Sequence, residues 1–147
     1  MPCCHADFAL LEGSDRGFTI GMPTFTFGAG VLAEAGPQAR ELGLKRVARF
    51  TDQRIRHSAP FAAVARSLSE AGVDTAVFDD APTEPTDASF AEAAAFAAAA
   101  GVDGYVSVGG GSVMDTAKAA NLYSETRYIT ICYCIYRVSR ALIGSIV

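Results

Sequence analysis

The chain has 147 residues, of which 50% are hydrophobic and 19% are charged, and its formal net charge is −4. A chain of this length and hydrophobic content can bury the core of one globular domain, which excludes the collagen-like and disordered classes. The acidic balance offers no basic surface for phosphate backbones, and no uncharged apolar run is long enough to span a bilayer. We therefore expect neither a nucleic-acid partner nor a membrane partner.

The composition changes abruptly at Ser124. Residues 1–123 contain 26 alanines and two isoleucines, whereas residues 124–147 contain one alanine, five isoleucines and three of the five tyrosines. The first segment carries nine basic and fifteen acidic residues, and the second carries three and one. We expect a disordered start at 1–17, a folded domain at 18–123 and an atypical apolar tail at 124–147 that is foreign to that domain.

The first residues lack the pattern of a targeting signal. Residues 1–17 hold three acidic side chains and one arginine, whereas secretory signals begin with basic residues and mitochondrial presequences are rich in arginine and poor in acids. We expect a cytoplasmic protein, with the mitochondrion as the alternative. The cysteines occur as Cys3–Cys4 and as Cys132 with Cys134, and neither spacing is that of a zinc site.

Short apolar runs alternate with longer helical patterns between Pro23 and Tyr123. Ser58 is the predicted N-cap of the second helix, Thr86 or Asp87 that of the third, and glycines follow the first three helices. In chain order, the predicted elements are a strand at 24–27, a helix at 31–42, a strand at 46–51, a helix from 59 to about 71, a strand at 75–78, a helix at 88–100, a strand at 104–108 and a helix after Ser112. This alternation predicts the α/β class, with a Rossmann-like parallel sheet flanked by helices.

The segment 105–118, Tyr-Val-Ser-Val-Gly-Gly-Gly-Ser-Val-Met-Asp-Thr-Ala-Lys, is the most informative part of the chain. A strand, three glycines and a helix start expose unpaired backbone N–H groups at the positive end of a helix dipole, which favours a bound phosphate. The pattern matches neither the G-x-G-x-x-G fingerprint nor the P-loop. We expect the phosphates of a dinucleotide as the ligand, although the same geometry suits other phosphates.

Each of these residues also has a purely structural interpretation. Ser112 can be an N-cap, with Asp115 three residues later completing a variant capping box, and Lys118 can be a solvated helix residue. Asp52 ends the second predicted strand, where a carboxylate can bind an adenosine ribose but where turn residues are also common. The residues alone leave both interpretations open.

The string Gly-Gly-Gly-Ser-Val-Met-Asp-Thr-Ala-Lys at 109–118 resembles a signature of the iron-containing alcohol dehydrogenase family. The following Ala-Ala-Asn-Leu-Tyr at 119–123 and the upstream Glu-Pro-Thr-Asp-Ala-Ser-Phe at 84–90 are similar to the hydroxyacid-oxoacid transhydrogenase branch of that family. Phe-Gly-Ala-Gly-Val at 27–31 and Thr-Asp at 51–52 match further family positions in the same order. The resemblance covers residues 18–123 and implies the N-terminal domain of a dehydroquinate synthase-like fold.

The resemblance implies a cofactor site. The glycine turn and the start of the next helix would wrap the pyrophosphate of NAD, while Asp52 would hold the adenosine ribose and disfavour a 2′-phosphate. Glu84 stands where many relatives have an asparagine, which makes it a doubtful ligand. The residues that we expect to bind the cofactor are Asp52, Gly109, Gly110, Gly111, Ser112, Val113, Met114, Asp115 and Lys118.

The resemblance also implies an oxidoreductase reaction. Hydride would pass from a small hydroxyacid, such as 4-hydroxybutyrate, through NAD to an oxoacid such as 2-oxoglutarate, and a divalent iron or zinc ion in a helical second domain would polarise the reacting oxygen. That metal takes an aspartate and three histidines, whereas this chain has only His5 and His57. We therefore expect no catalytic or metal-binding residue here, with the second domain absent and the chain inactive alone. The alternatives are a nucleotide-binding or interaction module, with a homo-oligomer as the candidate assembly, and an enzyme similar to glycerol dehydrogenases.

The tail contains a run of nine uncharged residues with high strand propensity, Tyr128–Tyr136. In a native fold such a run can add a strand to the sheet, whereas in a foreign appendage it favours edge-to-edge aggregation. Arg137 and Arg140 interrupt the segment that follows, which is also too short to be a membrane anchor.

Overall fold

A six-stranded sheet organises the chain in the computed structural model, which describes residues 25–124, 129–135 and 143–146. Its strands are β1 (Phe25–Phe27), β2 (Arg46–Phe50), β3 (Asp74–Phe78), β4 (Gly104–Gly109), β5 (Ile129–Ile135) and β6 (Ile143–Ile146). Across the sheet they lie in the order β1-β6-β5-β4-β2-β3. Strands β3, β2, β4 and β5 are parallel, whereas β6 is antiparallel to β5 and to β1. The predicted α/β fold with a parallel sheet is confirmed.

In the described part of the chain, four α-helices cover the two faces of this sheet: α1 (Ala35–Glu41), α2 (Ala59–Glu70), α3 (Asp87–Ala100) and α4 (Gly111–Tyr123). Helices α1 and α2 share one buried cluster with side chains of β2, β4 and β5, including Val47, Val64, Leu68, Val106 and Ile131. Helices α3 and α4 share a second cluster on the opposite face, including Ala48, Phe50, Ala97, Tyr105 and Ala117. Alternate residues of β2 therefore serve two cores, as expected for a parallel sheet covered on both faces.

Local signals in the sequence set the starts of two of these helices. The Ser58 side chain accepts a hydrogen bond from the Phe61 amide, so that the predicted N-cap of α2 is confirmed. Thr86 caps α3 through a reciprocal capping box, in which its side chain accepts from the Ser89 amide and the Ser89 hydroxyl accepts from the Thr86 amide. Both caps satisfy donors that a helix start leaves unpaired.

The single helix predicted at 31–42 is wrong, because the structure has a 3₁₀ turn at Val31–Glu34 before α1 begins at Ala35. Pro37 lacks an N–H, so it cannot donate to the Ala33 carbonyl as a continuous α-helix requires. The Ser67 hydroxyl of α2 donates to that carbonyl instead, at 2.6 Å, and accepts from the Gly36 amide at 2.9 Å. One buried hydroxyl therefore satisfies the hydrogen-bonding needs of the Ala33 carbonyl and the Gly36 amide at the break in the helix.

Part of the atypical tail lies in the sheet. Ile129–Ile135 forms β5, which pairs in parallel with β4 from Gly104 to Gly109, so this run adopts the strand alternative. Ile143–Ile146 forms β6, a strand that the sequence analysis did not predict. The proposed boundary at residue 124 stays a prediction, and the expected disordered start at 1–17 lies outside the described residues.

Within the described ranges, no helix is both long and apolar enough to cross a membrane.

Candidate functional site

The predicted site residues lie where the strand order reverses. From β2 the chain moves outward to the edge strand β3, and then returns to place β4 on the other side of β2. At such a switch point, the connections leave the carboxyl ends of two neighbouring strands in opposite directions and open a crevice in which ligands bind. A cleft of about 200 Å³ lies here, lined by Asp52, Arg54, Ile55, Ala81, Pro82, Thr83, Gly110, Gly111, Ser112 and Val113.

One wall of the cleft is the glycine turn that leads from β4 into α4. Gly110 is the N-cap of α4 and offers no side-chain cap. The amides of Gly111, Ser112 and Val113 donate to no acceptor within the described part of the chain, whereas the Met114 amide bonds to the Gly110 carbonyl. A Cβ at Gly110 or Gly111 would meet only open space. The turn therefore presents unpaired donors at the positive end of a helix, with room for a group to approach the backbone.

The opposite wall carries Asp52, which lies two residues beyond the end of β2. Its Oδ1 accepts hydrogen bonds from the Arg54 amide at 2.8 Å and from the Ile55 amide at 2.9 Å. These bonds make Asp52 a turn residue, as the structural interpretation proposed, and they fix the orientation of its carboxylate. No residue in the described ranges donates to Oδ2. The second carboxylate oxygen is thus available to a ligand hydroxyl, so the two interpretations of Asp52 are compatible.

The alternative interpretation of Ser112 as an N-cap is wrong, because Gly110 is the N-cap of α4. The helix begins at Gly111, so Ser112 lies inside the first turn, and its hydroxyl donates to the Thr83 carbonyl at 2.5 Å. The capping box with Asp115 therefore does not form, and the Asp115 side chain is exposed. Ser112 instead ties the start of α4 to the loop that precedes α3, because that loop passes beside the glycine turn.

The other predicted ligands lie outside the cleft lining. Gly109 permits close packing, because a Cβ there would lie 2.7 Å from Val113 Cγ2. The Met114 side chain is buried beside Cys132, beneath the start of α4. Lys118 and Asp115 are exposed on α4. Their proposed contacts with a cofactor stay predictions.

Five of the residues that line the cleft were not expected from the sequence: Arg54, Ile55, Ala81, Pro82 and Thr83. Pro82 and Pro85 marked a loop in the sequence, but nothing in a loop signal shows which distant element the loop contacts. Near the cleft, Arg56 forms an ion pair with Asp79. This pairing neutralises one cation, while the exposed Arg54 contributes its positive charge directly to the cleft.

The divalent metal implied by the resemblance has no ligand set in this part of the protein. Among residues 25–124, 129–135 and 143–146, no three histidine, cysteine, aspartate or glutamate side chains are grouped closely enough to share an ion. His57 is exposed in the 3₁₀ turn at Ile55–His57. The described residues therefore offer no ligand set for that ion.

Comparisons with known proteins agree with the fold and with the sequence motifs. The family model for iron-containing alcohol dehydrogenase matches residues 23–142. The mitochondrial hydroxyacid-oxoacid transhydrogenase of Mus musculus is 42% identical over 113 residues, which are 77% of this chain and 24% of the mouse protein. This chain thus spans about a quarter of the length of that relative.

Solved structures give the same result. The crystal structure of a 1,3-propanediol oxidoreductase superposes with a TM-score of 0.70 at 27% identity, covering 77% of this chain and 30% of the other. The NADH-dependent butanol dehydrogenase A of Thermotoga maritima superposes with a TM-score of 0.66 at 26% identity, covering 76% of this chain and 29% of the other. The resemblance to oxidoreductases is confirmed, and the chain belongs to the iron-containing alcohol dehydrogenase family.

Proposed function

We propose that this chain is the dinucleotide-binding part of an oxidoreductase similar to hydroxyacid-oxoacid transhydrogenase, and that NAD binds in the cleft between Asp52 and the glycine turn. The observation that carries the proposal is the pairing, in one cleft, of three unpaired backbone donors with an oriented carboxylate. The donors suit a pyrophosphate, and the carboxylate suits a ribose hydroxyl. When bound, NAD supplies the group that accepts or donates hydride.

The two walls would recognise different parts of the cofactor. The amides of Gly111, Ser112 and Val113 would donate to the pyrophosphate oxygens, since their hydrogens have no acceptor in the described protein. Asp52 Oδ2 would accept from the adenosine ribose, while Oδ1 stays bonded to the backbone. A 2′-phosphate would place negative charge against this carboxylate, so we propose NAD rather than NADP. Gly109, Met114, Asp115 and Lys118 would support this wall without lining the cleft.

The substrates follow from the relatives. The names of the curated relatives indicate transfer between a hydroxyacid and an oxoacid, and we propose small molecules of these classes as substrates of the whole enzyme. Their names also place them in mitochondria, which favours the mitochondrial location over the cytoplasm. The 147 residues contain two histidines, fewer than the family's metal site uses, so we propose that this chain alone binds NAD without turnover.

Direct binding of NADH tests the proposal. Titration of the purified chain, followed by the fluorescence of the reduced nicotinamide, should show saturable one-to-one binding. Gly111→Asp should abolish this binding, because a carboxylate at the start of α4 repels the pyrophosphate. The same carboxylate interacts favourably with the helix dipole, so the variant should stay folded. Ala59→Asp places the same charge at the exposed start of α2 and is the matched control.

The outcomes separate clearly. Saturable binding that Gly111→Asp removes and Ala59→Asp leaves intact supports the assignment. Absence of NADH binding by the folded wild-type chain would overturn it, as would binding that tolerates Gly111→Asp. Turnover of 4-hydroxybutyrate with 2-oxoglutarate by the chain alone, with added Fe²⁺ or Zn²⁺, would overturn the proposal that it is inactive.

A further inference from the structure

We infer that Thr51 is a positioning residue of the cofactor site, which holds the Asp52 carboxylate in register with the glycine turn and thereby sets the preference for NADH over NADPH. This inference rests on the proposed function and concerns a residue that has no direct access to a ligand. The Thr51 side chain is fully buried, with 0% of its surface exposed. Any effect of Thr51 on the cofactor must therefore pass through its neighbours.

Strands β2 and β4 diverge at the cleft. Their backbone pairing ends with Phe50 opposite Ser107, because the two strands separate where the crevice opens. Beyond that point, the Thr51 hydroxyl donates to the Val108 carbonyl at 2.9 Å. This side-chain bond extends the link between the strands by one residue, to the last position before the three glycines.

The backbone of Thr51 also anchors residues 81–83, which line the cleft. The Thr51 amide donates to the Phe78 carbonyl at the end of β3, and the Thr51 carbonyl accepts from the Ala81 amide at 3.3 Å. Ala81 is the first residue of the lining segment 81–83. The last residue of this segment, Thr83, accepts a hydrogen bond from the Ser112 hydroxyl through its carbonyl. Thr51 is therefore the residue through which the ends of β2, β3 and β4 are joined around the cleft.

The position of the Asp52 carboxylate also depends on Thr51. Asp52 follows Thr51 directly, and its Oδ1 is already locked by the Arg54 and Ile55 amides. The turn at Asp52 is consequently rigid within itself, and its distance from the glycine turn depends on how residue 51 is anchored. A small shift of this turn would separate the ribose-binding carboxylate from the pyrophosphate-binding amides, which a single dinucleotide must contact together.

The experiment compares Thr51→Val, which keeps the shape but removes the donor, with Thr51→Ser, which keeps the hydroxyl. Dissociation constants for NADH and NADPH are measured by fluorescence titration. Thr51→Val should weaken NADH binding about tenfold, which corresponds to the loss of roughly one hydrogen bond. The affinity for NADPH should decrease less than that for NADH, because displacement of the Asp52 carboxylate also relieves its repulsion of the 2′-phosphate. The dissociation constant for NADPH divided by that for NADH should therefore fall in Thr51→Val. Thr51→Ser should preserve this ratio.

The control is a variant that weakens the same sheet far from the cleft. Asp103 accepts hydrogen bonds from the Lys45 and Arg46 amides, at 2.8 and 2.9 Å, at the opposite end of β2. Asp103→Ala should lower the melting temperature without altering the ratio of the NADPH and NADH constants. Thr51→Cys, which retains the size but donates weakly, replaces Thr51→Val if the latter does not fold, and its ratio should also fall.

Each result decides one point. A ratio that falls in Thr51→Val or Thr51→Cys, but not in Thr51→Ser or Asp103→Ala, establishes the positioning role. If the wild type binds NADH and the ratio stays constant in both donor-deficient variants, or falls equally in Asp103→Ala, the inference is overturned and the proposed function stands. If the folded wild type binds no NADH, the proposed function itself fails.

Discussion

Replacing Arg49 with methionine should stabilise the protein. Arg49 lies in β2 with 8% of its surface exposed, and its Nε and Nη1 atoms are buried with no hydrogen-bond partner among the residues that the structure describes. Burial, together with the neighbouring charge of Arg56, lowers the pKa of Arg49. A base whose pKa is lowered by folding destabilises the fold wherever it stays protonated in both states, and arginine stays protonated in proteins at neutral pH, so assays there measure the full penalty.

The magnitude follows from two opposing contributions. Two buried donor nitrogens without acceptors in the described part of the chain cost about 1–3 kcal/mol each. The guanidinium lies 4.6 Å from the centre of the Phe61 ring, and this cation–π contact returns about 1–2 kcal/mol. Methionine can fill the space of the arginine stem with an unbranched apolar chain, so Arg49→Met should raise the free energy of unfolding by about 1–3 kcal/mol.

Urea unfolding followed by circular dichroism measures this change, with an unchanged denaturant slope as the sign that only stability has moved. Arg46→Met, at the exposed start of the same strand, is the control and should stay within about 0.5 kcal/mol of wild type. Phe61→Leu should cost more stability when it is made in the wild type than when it is made in the Arg49→Met variant. Only the wild type has a cation–π contact to lose. A loss of stability on Arg49→Met would refute the reasoning, since it would mean that the guanidinium has a stabilising partner.

Three further predictions concern packing and capping. Gly36→Ala should destabilise the protein by about 1–3 kcal/mol in chemical denaturation, because the added Cβ would collide with the Ser67 carbonyl. Gly109→Ala should also lower the melting temperature, and Val113→Ala in the same chain should restore part of it, since the clash is with that side chain; additive losses would contradict this. Thr86→Ala should cost about 1 kcal/mol of the free energy of unfolding, whereas no loss would show that the capping box is energetically silent.

The sequence determined the elements whose signals are local. A few neighbouring residues were enough to predict the N-caps Ser58 and Thr86 and the strand that begins at Arg46. The reason is that capping bonds and strand patterns extend over only a few residues. The glycine turn and Asp52 were predicted in the same way, and the structure brings them to one cleft. The exception among local signals was Pro37, whose missing donor divides the expected first helix.

Only the tertiary structure decided which distant residues meet. Nothing in the sequence pattern indicated that β6 lies between β1 and β5, that Ser112 bonds to Thr83 across 29 positions, or that Thr51 joins β2 to β4 across 57. Equally, no local pattern shows that Arg49 is buried, because charged residues in strands usually face water. Such contacts depend on the order of strands in the sheet, which is selected by packing of the whole chain rather than by the preference of any segment. The sequence therefore determined the glycine turn and Asp52, whereas the tertiary structure added the other lining residues and decided how the walls of the cleft are held together.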